Sequence, residues 1–183
     1  MRLEPIDRAP TWKGRMAAWW MRRQLGTVIT PARVIYNRVP GMYDVSWSLL
    51  RLHRSGFRLP ADLRLLVQSW VAMVNQCHFC VDIARAAAVM EKLGLEKFEA
   101  LPDWRTSPRF DARERAALAY AEEATRQRRV SDGTFETLRK HFSEQEIAEL
   151  TVLNAIENFY NLLNVPLGIE ADGLCALAQA RSA

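Results

Sequence analysis

Residues 63–88 of this 183-residue chain, LRLLVQSWVAMVNQCHFCVDIARAAA, decide the fold that the sequence predicts. The first half, residues 63–74, is apolar nearly all the way round a helix, which is typical of a segment at the centre of a bundle or at a subunit interface. Asn75 is a residue type favoured at helix N-caps, and the alanine-rich half that follows continues as helix. We therefore expect two consecutive helices that meet near Cys77-His78-Phe79-Cys80.

The rest of the chain is also patterned as helix. No run alternates apolar and polar residues as a strand does, and no Asn-Gly or Asp-Gly hairpin signal occurs. Helix starts are marked by capping signals and by a proline: Pro60, Asp111 with Glu114, Ser131, and Ser143 with Glu146. The helices are expected to cover about 60–75, 111–127, the residues after 131, and a long amphipathic stretch from 143 through Leu163. The predicted fold class is all-α, a helical bundle.

Charge is unevenly distributed along the chain. Residues 1–64 hold 12 Lys and Arg against 4 Asp and Glu, a balance of +8, and residues 65–183 hold 13 against 17, a balance of −4; together they give the net +4. We divide the chain into a basic, Trp-rich N-terminal helical extension, 1–42, and one domain, 43–183. The Arg residues are scattered and no recognition motif accompanies them, so the extension is expected to pack on the acidic remainder or on a neighbouring subunit, with no nucleic acid bound.

The sequence also indicates a compartment. No apolar run approaches the roughly 20 residues that span a bilayer, so no membrane contact is expected. The apolar run at 16–21 is too short for a signal peptide core. Three cysteines fit a reducing compartment better than a secreted disulfide framework, and we expect a cytoplasmic protein.

Cys77 and Cys80 form a C-x-x-C at a predicted helix start. Free backbone N–H groups and the positive end of the helix dipole stabilise a thiolate there, and the thiolate is the reactive form of cysteine. The first alternative is that the two cysteines only pack in the core, as buried cysteines often do. Their separation by two residues, which is the spacing of redox-active pairs, makes that alternative less favoured. A zinc site would need further ligands, and His53, His78, His141 and Cys175 form no paired motif. A thioredoxin-type enzyme lacks its βαβ context here. We expect no metal and no cofactor.

His78 and Asp82 are the candidate acid–base groups beside the thiols. They are four residues apart, so they can pair along one helix face. Such a pair could move protons for the dithiol, and it could equally be a surface pair of little energetic weight.

Several segments resemble a known family when taken in order: VNQCHFCVDIARAAA at 74–88, FDARERAALAYAEEAT at 110–125, and the stretch from VSDGTFETLRKHF at 130–142 through EIAEL to Asn161. Together they resemble the carboxymuconolactone decarboxylase superfamily, in its alkylhydroperoxidase D-like (AhpD-like) branch, over roughly 43–170. The resemblance implies an all-α oligomer, a dimer, trimer or hexamer. It also implies a peroxidase cycle in which Cys80 attacks a hydroperoxide, Cys77 resolves the sulfenic acid as a disulfide, and a thiol or disulfide reductant resets the pair. The general rule for a C-x-x-C at a helix start favours Cys77 instead as the thiol that ionises more readily.

The chain departs from the family motif at two positions. A Glu twelve residues before the first Cys and a His four residues after the second are replaced by Leu65 and Ala84. Acid–base help is typically worth ~10²–10⁴ in rate, so activity is expected to be weak unless His78, Asp82 or Glu114 substitutes. The alternatives are a non-catalytic oligomeric member that binds a ligand or partner and, ranked last, a lactone decarboxylase.

Overall fold

A computed structural model describes residues 1–182, and within them the chain is helical with no strand. The all-α prediction is confirmed. The α-helices are α1 (Trp12–Leu25), α2 (Gly41–Ser55), α3 (Ala61–Val74), α4 (His78–Met90), α5 (Glu96–Glu99), α6 (Ala112–Gln127), α7 (Asp132–Arg139), α8 (Glu144–Asn164) and α9 (Leu174–Ser182). A π-helical turn at Ala32–Tyr36 and 3₁₀ turns at Leu101–Asp103 and Val165–Leu167 join them. No helix within residues 1–182 is long and apolar enough to cross a membrane.

The predicted helix starts are confirmed. Reciprocal capping boxes open α6, between Asp111 and Glu114, and α8, between Ser143 and Glu146. Ser131 caps α7 through its hydroxyl. Each cap gives a partner to backbone N–H groups that have none inside the helix, which fixes where the helix begins.

The junction between α3 and α4 differs from the prediction at one residue. Asn75 ends α3 as its C-cap, and Cys77 takes the N-cap position of α4. Gln76 between them has a positive φ of 55°, a left-handed conformation that turns the chain sharply. The side chain of Asn75 therefore does not cap α4 and instead donates hydrogen bonds to residues of the core.

The core consists of three apolar clusters around α3, which packs against α4, α6 and α8. Both cysteines of the C-x-x-C belong to the first cluster. The N-terminal residues Ala32, Val34 and Tyr36 are buried in that same cluster. The segment before residue 43 thus forms part of the wall around the dithiol.

The C-terminal helix α9 packs along α4 and is anchored to it by Asp82. The Asp82 carboxylate accepts hydrogen bonds from the backbone N–H groups of Leu174 at 2.8 Å and Cys175 at 2.9 Å. These are orphan donors of the first turn of α9, so Asp82 acts as a cap supplied from a distant part of the chain.

Replacing Asp82 with Ala is expected to lower the free energy of unfolding by about 1–2 kcal/mol, the usual cost of losing a helix cap. Urea unfolding followed by circular dichroism measures it. Asp44→Ala is the matched control, because the Asp44–Lys13 pair is exposed and contributes little. Equal stability of the two variants would contradict the capping role.

Candidate redox site

The C-x-x-C pair lies at the start of α4 and is joined as a disulfide. Cys77 is the N-cap residue and Cys80 is the third residue of the helix, with their Cα atoms 5.2 Å apart. Both residues are almost completely buried, at 1% and 4% exposure. The N–H groups of the first turn have no partner within a helix, so negative charge on a reduced sulfur is favoured there.

Asn164, the last residue of α8, is the polar side chain in contact with the sulfurs. Its amide nitrogen lies 3.4 Å from the Cys80 Sγ and 4.0 Å from the Cys77 Sγ. Asn164 is 2% exposed, and its Oδ1 atom has no hydrogen-bond partner. An amide held in this way offers a donor to a thiolate and an acceptor to a thiol S–H, with the shorter approach to Cys80.

The face of α8 that turns toward the core carries a row of buried polar residues. They are Asn154, Glu157, Asn158, Asn161 and Asn164. Asn161 donates to the Glu157 carboxylate at 2.7 Å. Asn75, from the junction before the cysteines, donates to Asn161 at 2.7 Å and to Asn158 at 3.0 Å. The row therefore places a buried carboxyl group on the same helix face as the residue that contacts the disulfide.

Glu157 is the carboxyl group in this row and is 7% exposed. Burial raises the pKa of Glu157 to about 7, and hydrogen bonds from Asn161 and Gln68 offset part of that shift. No ion pair to Glu157 occurs among residues 1–182. A carboxyl group of this kind exchanges protons near neutral pH, as groups in functional sites often do.

His78 does not pair with Asp82, the partner that their four-residue spacing allows. Its Nδ1 atom lies 2.6 Å from Glu170 Oε2, and both side chains are exposed. Asp82 is occupied by the N-terminus of α9 instead. The possible contact between His78 and Asp82 along α4 does not form, because residues of the C-terminal segment bond to both side chains.

The outer face of α4 borders an open groove of about 400 Å³. His78, Val81, Asp82 and Arg85 line it, at positions that share one helix face. Cys80 points to the opposite side of the helix, toward α8. The structure thus brings Cys77 and Cys80 together, and it places the predicted acid–base candidates of α4 on the far side.

Glu114, considered from the sequence as an acid–base group for the thiols, instead makes hydrogen bonds within the fold. One carboxylate oxygen accepts from the N–H of Asp111 in the capping box, and the other accepts from Lys97 at 2.6 Å. Both carboxylate oxygens of Glu114 therefore make hydrogen bonds that stabilise the fold. Leu65 and Ala84, at the positions of the family's Glu and His, are buried apolar side chains.

Sequence reasoning missed Asn164, Asn161 and Glu157. The polar residues of α8 recur at spacings of three and four, which marks one helix face. That spacing is usually a solvated face, and the apolar residues of the same helix predict that the opposite face is the buried one. Only the packing of α8 on α3 and α6 shows that the polar row faces inward.

The geometry agrees with known proteins of one family. Residues 44–123 match the model of the Carboxymuconolactone decarboxylase family. YnjA of Escherichia coli (strain K12), an uncharacterized protein, is 37% identical over 185 residues, covering 100% of both chains. The chain belongs to the carboxymuconolactone decarboxylase family, in its AhpD-like branch.

Solved structures share the fold. A protein of unknown function from Agrobacterium tumefaciens, ATU0492, described as a putative antioxidant defence protein AhpD, is 27% identical with a TM-score of 0.70, over 76% of this chain and 97% of that one. The debrominase Bmp8, bound to 2,3,4-tribromopyrrole, is 17% identical with a TM-score of 0.82, over 100% and 98%. The helical scaffold therefore occurs in a debrominase as well as in AhpD-like proteins.

Replacing Asn164 with Leu is expected to slow alkylation of Cys80 in the reduced protein roughly 10- to 100-fold below pH 8. A hydrogen bond to a charged group is worth ~1.5–3 kcal/mol, and each ~1.4 kcal/mol is tenfold in thiolate population. Peptide-resolved mass spectrometry after iodoacetamide treatment measures the rate. Cys175, a free and partly exposed thiol, is the control within the same sample. Unchanged Cys80 labelling would contradict a role for the amide.

Proposed function

We propose that this protein is a thiol-dependent oxidoreductase of the alkylhydroperoxidase type, with Cys80 as the attacking thiolate and Cys77 as the resolving thiol. Cys80 takes the distal oxygen of a hydroperoxide, the O–O bond breaks, and the alkoxide gains a proton to leave as an alcohol. The Cys80 sulfenic acid condenses with the Cys77 thiol, which releases water and forms the disulfide. An external dithiol reductant returns two electrons and two protons to the Cys77–Cys80 disulfide and is itself oxidised to a disulfide.

The observation that supports this proposal most strongly is the asymmetric position of Asn164. Its amide donor is nearer to Cys80 than to Cys77, by 3.4 against 4.0 Å. Cys77 is the N-cap residue of α4, so the free N–H groups of the first turn by themselves favour ionisation of Cys77. We assign Cys80 as the attacking sulfur because the Asn164 amide lies nearer to it and because the AhpD-like resemblance implies the second cysteine.

Burial of the sulfurs limits the reaction partners. Neither cysteine is exposed, and the groove beside α4 lies on the other face of that helix. Ile169 packs in the same apolar cluster, between Gly168 and Gly173, which both have positive φ values. We therefore propose a small hydroperoxide as substrate, admitted when this short segment moves aside.

A second candidate is a non-catalytic member that uses the scaffold to bind a ligand or partner. The replacement of the family's Glu and His by Leu65 and Ala84, and the closed position of the sulfurs, favour it. Reduction of a different electrophile by the same dithiol is a related outcome, since Bmp8 is a debrominase of the same fold. One experiment separates these possibilities.

The reduced protein and its Cys77→Ser, Cys80→Ser and Cys175→Ser variants are incubated with tert-butyl hydroperoxide, and separately with tribromopyrrole. We expect consumption of the hydroperoxide, formation of the disulfide, and a dimedone adduct on Cys80 in Cys77→Ser. Activity is expected to fall at least 100-fold in Cys80→Ser and to persist in Cys175→Ser, because that thiol lies outside the pair. Peptide mass spectrometry identifies the modified sulfur.

Persistence of reduced Cys77 and Cys80 in the presence of the hydroperoxide, while a control peroxidase reacts, would overturn the proposal. Oxidation of the pair by tribromopyrrole alone would assign the dithiol to dehalogenation. No reaction with either compound would support the non-catalytic candidate.

We also propose that the protein self-associates through the outer face of α8. A stripe of exposed apolar residues runs along it with alternating spacings of four and three: Ala148, Val152, Ala155, Phe159 and Leu162. This spacing is that of a coiled-coil seam, and the two alanines permit close approach of a second helix. The outer face is thus suited to pack against the same helix of another copy.

Leu162→Glu is expected to dissociate the oligomer, because Leu162 is 63% exposed in the single chain and would place a charge in the seam. Sedimentation velocity at a fixed concentration measures the mass. Met90→Glu is the matched control, an exposed apolar residue at the end of α4. A monomeric parent protein, or equal masses of parent and Leu162→Glu, would contradict the assignment.

A further inference from the structure

We propose that the N-terminal extension determines which molecules reach the dithiol, because it holds residues 168–173 closed over the sulfurs. We call residues 168–173 the cover segment. Thr30 of the extension bonds to Asp172 of the cover segment, and these two residues select small molecules for the reaction proposed above. The inference rests on the proposed function only in the choice of reaction, since access to the sulfurs is measurable with any thiol reagent.

The cover segment is bonded to residues that flank the sulfurs on two sides. The N–H of Ile169 donates to the backbone carbonyl of Asn164 at 3.2 Å, and the Asn164 amide contacts the Cys80 sulfur. Glu170 lies 2.6 Å from His78, which stands between the two cysteines in the chain. Ile169 is 3% exposed and belongs to the same apolar cluster as both cysteines. Displacement of the cover segment therefore opens the cluster that encloses the sulfurs.

The N-terminal extension holds the cover segment near both of its ends. The backbone N–H of Thr30 donates to one carboxylate oxygen of Asp172 at 2.7 Å, and the Thr30 hydroxyl donates to the other at 2.6 Å. The N–H of Arg2 donates to the carbonyl of Leu167, directly before the cover segment, at 2.8 Å. These contacts assign a role to the extension beyond its place in the wall around the dithiol.

The bonds around the cover segment differ in strength. The pair between His78 and Glu170 is exposed on both sides, and such pairs contribute little to stability. The contact between Thr30 and Asp172 is partly buried and occupies both carboxylate oxygens, so it contributes more. We therefore identify the Thr30–Asp172 contact as the main latch of the cover segment.

The two ends of the cover segment are suited to act as hinges. Gly168 and Gly173 both have positive φ values, of 63° and 73°, and glycine changes between positive and negative φ at little steric cost. The elements on either side are fixed: α8 packs on α3, and α9 is anchored by Asp82. Movement is therefore expected to be confined to the residues between the two glycines.

A latched cover segment selects molecules by size. Both sulfurs are almost completely buried while the segment is closed, so a reagent reaches them only when it opens. A small displacement admits a small molecule, whereas a larger molecule requires the segment to be displaced fully. Each bond that must break lowers the population of the open state, so the latch disfavours large molecules more than small ones.

The test measures how fast Cys80 of the reduced full-length protein is labelled by iodoacetamide and by the much larger fluorescein maleimide. Each rate is divided by the rate for the unfolded protein, and peptide-resolved mass spectrometry identifies the labelled sulfur. Asp172→Ala loses both bonds of the latch, so iodoacetamide labelling should rise roughly tenfold and fluorescein maleimide labelling should rise more. Thr30→Val keeps the backbone donor and should give a smaller gain in the same direction.

Glu149→Ala is the matched control. The Glu149 carboxylate also accepts two backbone N–H bonds, from Arg58 and Leu59, but it lies about 20 Å from Asn164 along α8. Labelling through unfolding of the whole protein would therefore rise in both variants, whereas opening of the cover segment raises it only in Asp172→Ala.

Three outcomes would count against the inference or its basis. Unchanged labelling in Asp172→Ala, or equal gains in Asp172→Ala and Glu149→Ala, would overturn the latch. Equal gains with the two reagents in Asp172→Ala would overturn selection by size. Faster labelling in Asp172→Ala without any hydroperoxide turnover would contradict the proposed function while the latch stands.

Hydrogen exchange measures the opening without a thiol reagent. In Asp172→Ala the backbone amides of residues 168–173 should exchange faster than in the parent protein, while those of α6 should not change. Mass spectrometry of peptic peptides gives both rates. Unchanged exchange over the cover segment would overturn the proposal.

Discussion

The contact between the Asn164 amide and the Cys80 sulfur joins the two halves of the candidate site. It connects the first turn of α4, where the reactive sulfurs lie, with the end of α8, where a row of buried polar groups begins. The two cysteines otherwise belong to a cluster of apolar side chains. A thiolate in such surroundings would be disfavoured, because burial penalises the charged form of the group.

Burying the row of polar residues on α8 destabilises the fold unless those groups are hydrogen-bonded. This requirement accounts for the position of Asn75 in the junction before α4. Buried amides and a carboxyl group destabilise a core unless they bond to one another. Asn75 supplies two of those bonds, and it can do so because Cys77 and not Asn75 caps α4. The sharp turn at Gln76 thus serves both purposes: it starts the new helix at Cys77 and directs the Asn75 amide toward α8.

The sequence predicts the fold well and the site only in part. Capping boxes and the apolar α3 segment depend on neighbouring residues, so they are legible without the structure, and so is the C-x-x-C itself. The partners of His78 and Asp82 were not predictable, because they come from Glu170 and the start of α9, about ninety residues later. The inward polar face of α8 was equally hidden, since spacing identifies a face of a helix but not what covers it.

If Cys80 is the sulfur poised to react, it ionises before Cys77 in the reduced protein, and the order of ionisation of the two thiols can be measured. The measurement is a pH titration of the reduced Cys175→Ser protein carrying ¹³C-labelled cysteine, with each Cβ resonance assigned. We expect Cys80 to lose its proton at a lower pH than Cys77, because the Asn164 amide lies nearer to the Cys80 sulfur and favours its thiolate. Ionisation of Cys77 first would contradict it.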